Sequence, residues 1–554
     1  MTMKKLRIIP LGGMGSVTKN MFAYEYDDEI LLVDCGIGFP EQYMLGIDVL
    51  IPDVSYLQKR LQEGAKIVGM CLTHGHDDHI AALPYVLPML NVDFPIFGSP
   101  LTAAFAMARM EDGEYKRLVS RYPDTSSLKL GRYFEIDTIH VTHSVPDTRH
   151  LVIHTPEGIC YHGSDFKFDM SPVDGKVSDF GKIAIAGQEG VLCALVDCLR
   201  VERDVWAPSE SSIFETLERE VRDCKGKFFV TLMSSNIHRV QLAINVAAEH
   251  GRKVVFIGRS IEKNTKVAEE LGILRIPRGI IVNKKNMQDY PDNELCIIIA
   301  GSQGQPGSSL VRAVFGEHPL ISISKADKVV FSTEPIPGNE GNVYNTIDEL
   351  SRNTVDVAYS DVDPGLHVSG HAGLVEQQLL ISLVKARYLL PIGGTDRHRV
   401  QFKKVAQGLN YAPSDVLLPV SGQVIEFESQ RVKFAEKLSL KELMVDGLRV
   451  GDVGTIVLAD RKTMAEEGMV TVIIPKHKGE FDTRNIYVAS RGFVFMKQSD
   501  EMINEIIKTT TAIVRENQDL AETEIRKKIE KQLSRRLEEV IGRKPLIVPV
   551  FMEV

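Results

Sequence analysis

Ile67-Val68-Gly69-Met70-Cys71-Leu72-Thr73-His74-Gly75-His76-Asp77-Asp78-His79 is the stretch on which the reading of this chain turns. The apolar run ending at Thr73 is a strand that delivers the chain into a loop. In that loop His74 and His76 are two apart, and Gly75 between them allows the bend that aims both imidazoles at one point. Asp78 and His79 open the following helix and can serve a second point nearby. Neutral imidazole and carboxylate suit Zn²⁺, with bonds of about 2.0–2.2 Å. Two such ions about 3.5–4 Å apart clamp a phosphodiester and ionise a water at neutral pH. The bland alternative is a solvated His/Asp loop, but four such groups in six residues gain little from proximity without a cation. Further ligands must come from elsewhere. His143, just past the strand-like run 139–142, and Asp165, in His162-Gly163-Ser164-Asp165, are candidates. Each alone has an ordinary explanation, a strand-end histidine bonded to backbone or an aspartate capping a turn.

Around this motif lie 554 residues, enough for several domains. Hydrophobic residues make up 44% and charged residues 25%, values of a globular protein rather than a disordered or collagen-like one. Lys+Arg 65 against Asp+Glu 74 leaves −9, which excludes a strongly basic coat but not a local basic groove. Seven scattered cysteines without a CxxC read as reduced, buried thiols. The N-terminus lacks the pattern of a signal peptide, and no apolar stretch has the length of a membrane span. A cytoplasmic protein with no membrane contact is expected.

Short β-like runs fill the first part (6–10, 30–34, 67–73, 139–142, 151–155, 191–197), with helical patterns at 80–90 and 101–110. From about Ser209 strands and helices alternate, which predicts a separate parallel α/β sheet. After Gly365 a His-rich turn, a helix over 374–387 and a strand over 388–392 follow, and these can complete the first domain and make the middle one an insertion. From about Val450 a third region is read, with strands at 455–458 and 469–474, amphipathic helices near 499–517 and 520–541, and a final strand. The boundaries are 1–208, 209–365, 366–448 and 449–554.

Taken together, Asp34 in VDCG, HGHDDH, His143 and Asp165 resemble the metallo-β-lactamase superfamily. The likeness narrows to its nucleic-acid branch, the β-CASP nucleases, and within that to the ribonuclease J family. The strings that carry it are LGGMGSVTKNM, GIDVLIPDVSYL, MSSNIHRVQ, GRSIEKN, GSQGQP, STEPIPGNEGNV and HVSGHAG, with DGLRVGDVG and ASRGFVF extending it toward the C-terminus. The resemblance implies an α/β fold: a metallo-β-lactamase αββα sandwich, an inserted parallel α/β β-CASP domain and a small α+β C-terminal domain. It implies one Zn²⁺ on His74, His76 and His143, another on Asp78 and His79, and Asp165 bridging both, with Mn²⁺ or Mg²⁺ as possible substitutes. Asp34 orients a ligand from behind. Asp197 and His371 are the family's acidic and histidine motifs, the pair that protonates the leaving oxygen. Ser235, Asn236, His238 and the loop His367, Val368, Ser369, Gly370 and His371 bind nucleotide. A structural Ca²⁺ would use Asp48, the Leu50 carbonyl and Asp446.

The activity so implied is a zinc-dependent ribonuclease, 5′→3′ exonucleolytic and endonucleolytic on 5′-monophosphorylated RNA, serving rRNA processing and mRNA decay. A homodimer or homotetramer is expected, with a paralogue or other RNA-decay proteins as partners. The competing readings are an RNA-binding scaffold with a degenerate site, partnering an active paralogue, and a small-ester or lactam hydrolase, which leaves the middle domain unexplained. One departure bears on the second metal: the family places a histidine after the strand 388–392, where this chain has Gly393, so that metal loses a ligand and is expected to bind weakly, leaving an enzyme that is slow or dependent on added divalent ion. Water, Asp396 or His398 could take the open position. The basic stretch Arg387, Arg397, His398, Arg399, Lys403 and Lys404 could line an RNA channel. Arg526, Lys527, Lys528, Lys531, Arg535 and Arg536 alternate with Glu and read as a salt-bridged outer face.

Overall fold

The computed structural model describes residues 4–41, 43–110, 113–123, 127–336, 338–447, 449–451, 454–493 and 500–554. Strand Glu29–Val33 is buried at every position, which is why Ile30–Val33 is a continuous apolar run rather than an alternating one, and the buried Glu29 is paired with Arg132. It sits inside an eight-stranded sheet ordered Arg431–Lys437, Gln423–Glu428, Leu6–Pro10, Phe22–Tyr26, Glu29–Val33, Lys66–Cys71, Ile96–Gly98, Val119–Arg121. A second sheet of six strands runs Tyr388–Ile392, Val191–Asp197, Gly158–Gly163, Arg149–Thr155, Phe134–His140, Leu128–Leu130. Leu6, Ile8, Tyr24, Leu31 and Val33 of the first sheet share a buried core with Leu151, Ile153, Leu195 and Leu390 of the second. The opposite face of the second sheet packs on Ile183, Leu380, Ile381, Phe402 and Ala406, from the helices Phe180–Glu189, Leu374–Val384 and Asp396–Gly408.

Between Val191–Asp197 and Tyr388–Ile392, which pair in parallel, the chain builds a separate sheet. Its order is Lys253–Ile257, Leu295–Ile299, Phe228–Thr231, Lys328–Phe331, Asp356–Ala358, parallel throughout. Two sheets packed face to face with helices outside, and a parallel α/β unit inserted between two paired strands, are the architecture expected from the sequence.

The chain divides into two compact units, Met1–Phe39 with Val49–Leu443, and Pro40–Asp48 with Met444–Val554. The second contains a sheet in which Met469–His477 pairs with Tyr487–Arg491 and, in parallel, with Leu546–Glu553. Helix Glu522–Ile541 buries Ile525, Ile529, Leu533 and Leu537, one stripe at i, i+4, i+8 and i+12, and its outer face carries the ion pairs Arg535–Glu539 and Arg536–Glu505.

The strand expected at 455–458 is instead the first turn of helix Thr455–Glu467. Its three-residue apolar run Ile456–Leu458 fits either state, and the helix formers Ala459, Arg461, Lys462, Met464, Ala465, Glu466 and Glu467 that follow decide it. Helix 80–90 is two pieces, Asp77–Ile80 and Leu83–Leu90. Parts of DGLRVGDVG (448, 452, 453) and ASRGFVF (494, 495), and position 499, lie outside the described residues.

Candidate metal centre and cleft

Strands Glu29–Val33 and Lys66–Cys71 pair in parallel and end side by side, so the residues leaving them meet. Asp34 turns there in the left-handed region, at φ 60°, which aspartate tolerates better than most side chains. Its carboxylate accepts the Thr73 N–H and hydroxyl, each at 2.8 Å, and the His79 Nδ1–H at 2.7 Å. This fixes the orientation of the His79 ring and turns its Nε2 toward Asp78 and Asp165. Gly36 follows because a Cβ there would lie 1.5 Å from the Asp78 carbonyl oxygen.

The six expected ligands converge. His76 Nδ1 lies 3.1 Å from His74 Nε2 and 3.2 Å from His143 Nε2. Asp165 Oδ2 is 3.7, 3.5 and 3.8 Å from the Nε2 atoms of His74, His79 and His143, and Asp78 Oδ2 is 3.6 Å from His79 Nε2. His143 donates its Nδ1–H to the Gly370 carbonyl at 2.6 Å, so its Nε2 presents a lone pair. Donor atoms of His74, His76, His143 and Asp165 form one group within 4.8 Å, and Asp78, His79 and Asp165 form another. Imidazole nitrogens and carboxylate oxygens buried this close together suit divalent cations.

Electrostatics agree. Burial holds His74 and His143 well below the usual histidine range and His76 at about 3, so all three are neutral, the ligand form. Burial lifts Asp78 to about 6. At His79 burial opposes charge, but the carboxylates of Asp165, Asp78 and Asp34 outweigh it and push the imidazole well up. Those excess carboxylates are what a metal would neutralise.

His371 stands beside this cluster, its Nε2 4.0 Å from Asp165 Oδ2 and its Nδ1–H donated to Asp197 Oδ2 at 2.7 Å. Burial again opposes protonation, and Asp197 and Asp165 overcome it, raising His371 to about 9. The cleft above has a volume of about 310 Å³ and is walled by Ser235, Asn236, His367, Val368, Ser369 and Gly370, with His76, Asp78, Asp165 and His371 toward its floor. Gly370 is obligatory, since a Cβ would sit 2.7 Å from Ser144 Oγ and 3.0 Å from His143 Cε1. Asn236 is engaged internally, its Oδ1 capping the Arg239 N–H at 3.0 Å and its Nδ2 donating to Glu210 at 3.1 Å. His238 lies 3.6 Å from Asp174.

Gly393 sits at φ 67°, where a Cβ would lie 3.2 Å from Asp197 Oδ1 and 3.6 Å from Asp165 Oδ1. Neither proposed substitute reaches the centre: Asp396 pairs with Arg399 at 3.0 Å, and His398 Nδ1 accepts the Thr395 N–H at 3.2 Å. The basic stretch is not part of the cleft wall among the described residues. Its helix, Asp396–Gly408, packs on the outer face of the six-stranded sheet, with Arg399 buried. The arginines among the residues lining the cleft are Arg109 and Arg239.

For the structural cation, Asp446 is ion-paired with Arg461 and Asp48 accepts the Gly447 N–H at 2.7 Å. The Leu50 carbonyl accepts the Gly38 N–H at 2.8 Å. Each of these groups thus has a protein partner.

Sequence reasoning missed Asn20, whose amide nitrogen is 3.1 Å from His79 Nε2 and 3.5 Å from Asp78 Oδ2. It also missed Glu210 and Arg239. No short-range pattern marks them. The available signal was an arginine in the first turn of a helix capped by Asn236.

Comparison with known proteins places these features. The metallo-β-lactamase superfamily matches residues 15–166, the ribonuclease J β-CASP domain residues 225–350, and the ribonuclease J C-terminal domain residues 456–554. Ribonuclease J of Thermus thermophilus is 38% identical, covering 99% of this chain and 95% of its own. Ribonuclease J2 of Bacillus subtilis is 33% identical over 100% and 99%. A solved protein of unknown function from Enterococcus faecalis V583 shares the fold over 76% of this chain, with TM-score 0.53 and 14% identity.

Proposed function

The chain belongs to the ribonuclease J family of metallo-β-lactamase-fold ribonucleases, and from that premise we propose that it is a zinc-dependent exonuclease. It removes nucleotides 5′→3′ from 5′-monophosphorylated RNA, with internal cuts as a second mode, in RNA maturation and decay. The observation that carries this is the donor cluster of His74, His76, His143, Asp78, His79 and Asp165, of which His76, Asp78 and Asp165 line a cleft walled by the 367–371 loop. Bound zinc supplies Lewis acidity and an ionised water at neutral pH. Asp34 and the Gly370 carbonyl fix the imidazoles of His79 and His143. Asp197 holds the Nδ1–H of His371, so that His371 Nε2 carries the proton passed to the leaving 3′ oxygen. Ser369 and the backbone of the loop hold the terminal phosphate. The seven buried, unpaired cysteines favour the cytoplasm, and no described helix is long and apolar enough to cross a membrane.

Ser369→Ala weakens attack at a 5′-monophosphate end more than internal cleavage, by roughly tenfold in the ratio of the two rates. Equal loss of both activities, measured on end-protected and free RNAs, argues against the phosphate assignment. Gly370 is unsuited to this test because its alanine would press on His143.

The two metal sites are unequal, four protein donors against three. Calorimetric titration gives one tight ion and one at least roughly tenfold weaker, and activity rises with zinc or manganese beyond one equivalent. Gly393→His tightens the weaker ion, an effect partly offset by about 1–2 kcal/mol of strain from the positive φ. Two equally tight ions in the native chain contradict this. Tight RNA binding without hydrolysis at saturating metal favours the scaffold reading instead.

A further inference from the structure

Arg239 opens the helix Ile237–Glu249 of the inserted domain and is 2% exposed. A guanidinium has five N–H donors and no acceptor. Here all five are placed. Nε donates to Glu210 Oε1 at 2.7 Å, and Nη2 donates to Glu210 Oε2 at 3.0 Å and the Val368 carbonyl at 3.1 Å. Nη1 donates to the Ser332 carbonyl at 2.7 Å and faces His367 Nδ1 at 3.0 Å. Arginine cannot accept, so His367 Nδ1 must. One side chain thereby ties a strand end (Ser332), a helix start and the loop 367–371.

We propose that Arg239 is a positioning residue that locks His367 as its neutral Nε2–H tautomer, aiming an uncharged N–H donor into the cleft for an oxygen of the RNA 5′ phosphate. This rests on the ribonuclease reading of the cleft. Among the described residues, His367 Nε2 has no closer ionic neighbour than Glu334 Oε2, at 3.8 Å, beyond hydrogen-bond reach, which leaves this donor to a ligand. Protonating Nδ1 would set an N–H against the guanidinium. The groups that face the ring are Arg239 and Glu210, Arg200, Lys167 and the exposed Glu334. Burial first, and then the positive charge of Arg239, push His367 down to about 3. A neutral donor recognises phosphate by hydrogen bond and leaves the charge to other groups, so this contact does not fade as pH rises through the ordinary histidine range.

The test is ¹⁵N NMR of histidine-labelled full-length protein, with the His367 signals assigned by their loss in His367→Gln. The native chain shows the Nε2–H tautomer without titration between about pH 5.5 and 8. In Arg239→Lys, which keeps a cation for Glu210, the ring is released and its pKa moves up toward the ordinary value of about 6.5. KM for 5′-monophosphorylated RNA rises roughly tenfold in that variant while kcat changes less, whereas a merely structural role moves both together and leaves the tautomer unchanged. An Nδ1–H tautomer, or titration near 6.5 in the native chain, overturns the inference. If Arg239→Lys fails to fold, the native spectrum still decides. The NMR readout needs no RNA, so a chain with the expected tautomer but no RNA cleavage would refute the ribonuclease reading and not this one.

Discussion

His76→Ala lowers RNA hydrolysis by on the order of 10³-fold or more while the metal-free fold is retained. The reason lies in the position of His76 Nδ1, between His74 Nε2 at 3.1 Å and His143 Nε2 at 3.2 Å. Removing it opens the four-donor group and leaves Asp165 with fewer partners. The fold does not depend on this side chain, because the cores that hold the sandwich together are apolar and lie between and outside the sheets. Metal binding itself stabilises the folded state by mass action. Melting temperatures are therefore compared under chelation, where native and variant agree within a few degrees. With metal restored, the native chain gains more than the variant. Elemental analysis of the same samples shows the loss of metal directly. Full activity of His76→Ala in chelator would remove the basis for the whole reading.

His371→Gln and Asp197→Asn each lower hydrolysis by about 10²–10⁴-fold, the range of a lost general acid. Asp197 is fully buried, its Oδ1 accepting the Leu199 N–H at 2.9 Å and its Oδ2 the His371 Nδ1–H at 2.7 Å. Asparagine keeps an oxygen for one of these contacts but loses the charge that holds His371 protonated. Both variants retain the metal content of the native chain if the pair moves a proton. Since Asp165, Asp197 and His371 could themselves group around an ion, a fall in metal content in either variant would make them ligands instead, and the assignment of acid and orienting carboxylate would be lost.

Much of the first domain is legible in its sequence because its strands are buried on both faces and read as unbroken apolar runs. Val191–Asp197 and Tyr388–Ile392 fall where the composition puts them. The hairpin Gln423–Glu428 and Arg431–Lys437 does not announce itself. Its turn, Ser429-Gln430, has φ of 51° and 58° at both central residues, a conformation ordinarily marked by Asn-Gly or Asp-Gly. In the centre, the HGHDDH loop was legible because its groups are close in sequence. The contacts of Asn20 with His79, and of Arg239 with His367 and Val368, span 59, 128 and 129 residues, and only the fold brings them together. Asp48, Asp446 and the Leu50 carbonyl matched a family pattern, but their partners here, including Arg461, could not be read from spacing.

The most direct measurement is hydrolysis of a 5′-monophosphorylated, internally labelled RNA by the purified chain at saturating zinc or manganese, with products resolved by length. The account predicts mononucleotides accumulating from the 5′ end, abolished by chelation and by His76→Ala. RNA left intact at saturating metal, or cleaved equally well in chelator, would contradict it.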